Sequence, residues 1–179
     1  MKEVYFASTN IYKIEEAQNI FINTDIKIKP VNLDLFEIQS ENQAEISAHK
    51  ANQAYEELNK PIIVDEAGLF IESLSGFPGT MTSQTASTIG ASGIFKLIND
   101  KELAYFKSVV TYKDSDKTIT VEGKIKGTIN KNLDPDNIKL FSDFFYPINE
   151  SSNLSDLTKE GFESHRKKAL MKLLEKLTQ

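Results

Sequence analysis

Apolar positions along this chain recur with a period of two in some stretches and of three to four in others, and the change of period marks its elements. Residues 3–7 read as a first strand, after which Ser8, Thr9 and Asn10 offer caps to a helix starting near Ile11. Ile14, Ala17, Ile20 and Phe21 give that helix one apolar face. Residues 26–35 contain a strand, with Pro30 interrupting it or placing it at a sheet edge. Ile46, Ala51, Ala54, Tyr55 and Leu58 predict a second amphipathic helix over 44–58. Its other face carries Glu45, Lys50, Glu56 and Glu57, and on this pattern Lys50 is solvated.

The stretch 61–79, PIIVDEAGLFIESLSGFPG, organises the rest. Ile62, Ile63 and Val64 predict a short buried strand with Asp65 and Glu66 at its carboxyl end, and apolar residues resume at Leu69, Phe70 and Ile71. Two readings of the acids stand side by side. They are turn residues before Gly68, or they are desolvated carboxylates that need a cation or a shifted pKa. A turn-rich bend at Gly76, Pro78 and Gly79 follows, then a small, polar run over 80–88 and a short helix around Ile94, Leu97 and Ile98.

Residues 104–112 and 118–125 read as strands of a hairpin or meander, and 130–137 as a loop. Phe141, Phe144, Phe145 and Tyr146 form an aromatic cluster, a core pattern that also suits stacking on a nucleobase. The chain closes on a helix with Ala169, Leu170, Leu173, Leu174 and Leu177 on its apolar stripe and Ser164 as its cap. His165 and Arg166, in its first turn, oppose the helix dipole. They are either exposed or matched to an acidic or electron-rich partner.

Composition narrows the class. With 179 residues, 40% of them hydrophobic and 26% charged, the chain is sized for one compact domain. A net charge of −5 argues against broad nucleic-acid binding but not against a local basic pocket. No apolar run approaches membrane-spanning length, and the amino terminus lacks a signal-peptide core, so the expected compartment is the cytoplasm. The absence of cysteine excludes disulfides and thiolate metal sites, and two histidines are few for zinc. The chemistry left is that of oxygen ligands and lysines. A polar turn leading into a capped helix presents an anion site that Lys13 can reach, and Asp65 and Glu66 offer the opposite charge.

Five segments, in order, resemble the inosine triphosphate pyrophosphatase family: Ser8-Thr9-Asn10-Ile11-Tyr12-Lys13, Glu37-Ile38-Gln39, His49-Lys50-Ala51, Asp65-Glu66-Ala67-Gly68-Leu69 with Gly76-Phe77-Pro78-Gly79, and Ser164-His165-Arg166 with Lys168-Ala169-Leu170. The resemblance implies an α/β fold with a bent mixed β-sheet, flanking helices and two lobes around a central nucleotide cleft, usually in a homodimer. It implies hydrolysis of non-standard purine triphosphates (ITP, dITP, XTP) to the monophosphate and pyrophosphate. Mg²⁺, with Mn²⁺ as a substitute, would be held by Glu37 and Glu66. Glu66 would act as the base, with Asp65 beside it. Ser8, Thr9, Asn10, Lys13 and Lys50 would bind phosphate, and Phe141, Ser142, Ser164, His165 and Arg166 the base.

Departures from the family pattern concern both ends of the substrate. Asp65, Glu66 and Ala67 stand where two aspartates and a hydroxyl residue are usual, so a longer side chain meets the metal. Lys139, Leu140, Phe141, Ser142 and Asp143 retain only one aromatic of the family's base segment, and Glu160 replaces a lysine. A nucleotide-binding member without catalysis, and a pyrophosphatase for modified pyrimidine triphosphates, are the alternatives these departures leave open.

Overall fold

The computed structural model describes all of residues 1–179. Six strands form one mixed sheet in the order β2-β1-β3-β4-β5-β6, flanked by helices. Strand β1 (Lys2–Ala7) runs parallel to β2 (Ile26–Val31), with Val4 opposite Ile28, and to β3 (Ile62–Ile71), with Phe6 opposite Ile63. Pro30 lies in β2 at the sheet edge, where its missing N–H leaves no ladder bond unmade. Strands β4 (Glu102–Lys113) and β5 (Thr118–Ile129) are neighbours joined by four residues, a connection only an antiparallel pair can make. Strand β6 (Phe145–Pro147) pairs antiparallel with β5.

The chain divides into two compact units: residues 1–66, 108–123 and 166–179, and residues 67–107 and 124–165. In the first, α1 (Ile11–Phe21) and α6 (His165–Thr178, of which this unit holds all but the first residue) bury Ile14, Ala17, Phe21, Ala169, Leu170 and Leu173 against Val4, Phe6, Ile63 and Val110. Helix α2 (Gln43–Leu58) buries Ala51 and Ala54 against Ile62 and Val64, the alternate positions of the same strand. Helices thus cover both faces of β3 here. The second unit holds α3 (Thr82–Thr88), α4 (Gly90–Leu97) and α5 (Leu154–Lys159). Its core joins Leu69, Ile71, Ile94, Phe95, Phe106, Ile125 and Phe144.

Three readings of the sequence need correction. Asp65 and Glu66 neither end a strand nor form a turn, because β3 continues through them to Ile71. Gly68 serves a close approach instead: a Cβ there would lie 2.3 Å from the Gly79 carbonyl oxygen. The chain after β3 folds back so that Pro78 pairs with Phe70, and the Thr82 hydroxyl accepts from the Leu69 N–H at 2.8 Å and donates to the Gly79 carbonyl at 2.6 Å. The polar run over 80–88, to which the sequence pattern assigns no element, is largely helical, as α3. Lys50 is not solvated but turns inward to carboxylates; of the two readings of His165 and Arg166, the acid-matched one holds for Arg166, and His165 is buried.

Candidate active site

Strand β3 presents two consecutive carboxylates, and side chains alternate along a strand, so Asp65 and Glu66 reach opposite faces of the sheet. On the face covered by α1 and α6, the Asp65 side chain is 1% exposed. Its Oδ2 accepts from Lys13 Nζ at 3.0 Å and from Arg166 Nε at 2.8 Å, and its Oδ1 accepts from the Ser108 hydroxyl. Lys13 also donates to the Asp65 backbone carbonyl at 3.2 Å. Arg166 extends the network through Nη1 to Glu16 Oε2 on α1, at 3.0 Å. Two acids and two bases therefore share one nearly dry site with their charges balanced. Burial alone would raise the Asp65 pKa, but Lys13, Arg166 and the Ser108 hydrogen bond overcome it and hold the carboxyl far below the ordinary aspartate range. Arg166, despite its own burial, is held still more firmly charged by Asp65 and Glu16.

On the face covered by α2, Glu66 Oε1 lies 2.7 Å from Lys50 Nζ, and Glu37 Oε2 lies 2.9 Å from the same ammonium. Burial raises the Glu66 pKa by more than its share of one ammonium returns, since Lys50 is divided between two carboxylates and Glu37 adds repulsion. For Lys50, burial works in the opposite direction, and the two carboxylates outweigh it to raise its pKa. Glu37 belongs to residues 32–42, which lack regular secondary structure. It is held through its neighbour: the Gln53 side chain donates to the Phe36 carbonyl at 2.7 Å and accepts from the Phe36 N–H at 3.1 Å.

The approach to α1 is closed on itself. Asn10 Oδ1 caps the helix by accepting from Tyr12 N and Lys13 N, and the Asn10 N–H donates to Ser8 Oγ. The Asn10 amide nitrogen, the Ser8 and Thr9 hydroxyls and the Lys13 ammonium remain as the groups suited to an anion.

Glu37 and Glu66 meet at a single cation, which is the donor set a hard divalent ion takes: one or two carboxylates, completed by phosphate oxygens and water. No group of three or more His, Asp or Glu side chains is arranged to hold an ion by itself, so a metal held by Glu37 and Glu66 would complete its shell from water or a substrate. The first unit thus brings together Lys13, Asp65 and Arg166 in one network and Glu37, Lys50 and Glu66 in another. In the second unit, Phe141 is buried in the core against Phe144, Ser142 is half-buried in the turn after Leu140, and Ser164 and His165 are buried, with His165 stacked on Phe106 at 5.0 Å. The sequence reading missed Glu16, Ser108 and Gln53. Glu16 was within reach, since it lies three residues after Lys13 on the same helix, whereas Ser108 shows only as a polar residue inside an apolar run.

Residues 4–176 match the model of the Ham1 family. The chain belongs to that family. It is 38% identical to the dITP/XTP pyrophosphatase of Methanopyrus kandleri, over 97% of this chain and 95% of that protein. It is 35% identical to the dITP/XTP pyrophosphatase of Hyperthermus butylicus, over 98% and 95%. The Ham1 protein of Coxiella burnetii has the same fold, with a TM-score of 0.81 over 99% of this chain and 98% of that one at 20% identity. The resemblance drawn from the five motifs is borne out, and so is the mixed α/β sheet with flanking helices.

Proposed function

We propose that this Ham1-family protein hydrolyses non-standard purine nucleoside triphosphates, those of inosine and xanthosine, to the monophosphate and pyrophosphate. The observation that carries the reading is the convergence of Glu37 and Glu66 on one cation in a chain related to dITP/XTP pyrophosphatases. A divalent ion held by these two carboxylates, Mg²⁺ with Mn²⁺ as substitute, would draw charge from the phosphate oxygens and favour attack by water.

The residues divide the remaining work by environment. Asp65 is committed to Lys13 and Arg166, so its role is to aim the Lys13 ammonium at the phosphates. Glu66, the carboxylate not committed to Lys13 and Arg166, would accept a proton from the attacking water. Lys13 and Lys50, with Ser8, Thr9 and Asn10, would neutralise and orient the phosphate chain. Phe141, Ser142, Ser164, His165 and Arg166 form the base side of the proposal. A guanidinium carries more donors than Asp65 and Glu16 use, and those of His165 and Arg166 suit the 6-keto oxygen of hypoxanthine or xanthine. The proposal further has the two units working as one domain, in a cytoplasmic homodimer.

Chromatography of the products from inosine triphosphate with Mg²⁺ tests the reaction. Inosine monophosphate and pyrophosphate are expected, and the diphosphate with orthophosphate would overturn the assignment. Light scattering on the purified protein tests the homodimer.

A further inference from the structure

We infer that the Lys50 ammonium is a built-in occupant of the divalent-ion position, so that metal binds this site together with a triphosphate and only weakly before it. The inference rests on the reading of Glu37 and Glu66 as the metal-holding carboxylates. Lys50 Nζ stands 2.9 Å from Glu37 Oε2 and 2.7 Å from Glu66 Oε1, both within charge-assisted hydrogen-bond distance. A divalent ion taking these two oxygens must push the ammonium aside.

The ammonium does not leave easily. It projects from the middle of α2, Glu66 lies in the middle of β3, and the Gln53 clamp on Phe36 is one helical turn from Lys50 on the same helix. The three charged groups are thus held at mutual contact by two regular elements and one two-point clamp. The Lys50 and Glu66 side chains are each only 18% exposed, so an ammonium separated from both carboxylates there loses its counter-charge without regaining full hydration. A triphosphate removes that obstacle by supplying anionic oxygens for the displaced ammonium and further ligands for the ion. Metal and triphosphate each then raise the affinity of the other by the same factor, as linkage requires.

Mn²⁺ binding, followed by calorimetry and by loss of the free-ion paramagnetic resonance signal, tests this without turnover. In the wild type, Mn²⁺ should bind the protein–analogue complex, formed with the α,β-methylene analogue of inosine triphosphate, at least about tenfold tighter than it binds either the nucleotide-free protein or the analogue alone, within the usual range of coupling between sites. In Lys50→Met, which keeps an apolar stem and removes the charge, Mn²⁺ should bind the nucleotide-free protein about tenfold tighter than it binds wild type. Adding Glu37→Gln to that variant should abolish the gain. A protein–analogue complex that binds Mn²⁺ no tighter than the analogue alone would overturn the inference, as would tight Mn²⁺ binding to the nucleotide-free wild type, and neither measurement needs a variant to fold. A Lys50→Met protein with native circular dichroism and no gain would overturn it equally, as would a gain that survives Glu37→Gln. Product chromatography on the wild type separates this outcome from failure of the proposed reaction: pyrophosphate release without Mn²⁺ coupling removes only the role of Lys50.

Discussion

Asp65 and Glu66 are the same functional group one residue apart, and the two faces of β3 give them opposite chemistry. On one face a carboxylate meets a lysine, an arginine and a serine hydroxyl, stays ionised far into acid and has little left to offer a substrate. On the other, a carboxylate shares one ammonium with a second acid, and its affinity for a proton rises. Position in the sequence does not tell the two carboxylates apart, whereas the number of cations each contacts does.

The comparison breaks first at Glu66. Replacing it by glutamine keeps shape and removes both proton acceptance and charge, and we expect turnover of inosine triphosphate to fall by about 10² to 10⁴ while nucleotide binding stays measurable. A variant that retains more than about a tenth of the wild-type rate would move the base elsewhere. At Asp65 the same change should act mainly on the fold. Asp65→Asn leaves Lys13 and Arg166 beside a neutral amide, and removing one partner of a buried ion pair costs about 3–5 kcal/mol, read as a lowered denaturant midpoint.

The acid limb of stability sharpens this contrast. Asp65 has its pKa lowered from an ordinary value of 3.8, so its stabilisation is complete above that value and is lost as the pH falls from it toward the folded-state pKa. Wild-type stability should therefore drop more steeply below that pH than that of Asp65→Asn, as denaturant titrations at stepped pH will show. The smallest effect is expected at Glu16. Glu16→Gln keeps a hydrogen-bond acceptor for Arg166 and loses the charge, for about 1–3 kcal/mol. A loss matching that of Asp65→Asn would mean that Glu16, not Asp65, anchors the network.

Much of the fold was legible in the sequence because periodicity reports which face of an element is buried. The capped start of α1 at Asn10, the stripe of α2 and the terminal helix all follow from local pattern. Which charge faces which does not. Arg166 and Asp65 are 101 residues apart, and Lys50 and Glu37 are 13 apart, so although the place of Arg166 at a helix start hints at an acidic partner, nothing local names that partner for either base. Gly68 misled for a related reason. A glycine beside two acids suggests a turn, and the carbonyl that requires it belongs to Gly79, beyond the bend.

Because the two carboxylates are sorted by strand parity, the stretch from Ile62 to Gly68 can change by substitution but not by length. One residue inserted between Val64 and Asp65 would turn Asp65 toward the face that carries Lys50 and Glu66 toward the face that carries Lys13 and Arg166. The 32–42 segment has no such parity to keep, since it lacks regular secondary structure. Adjustment of reach from β3 must then come from the side chain itself, and Glu66 reaches one methylene further than the aspartate beside it.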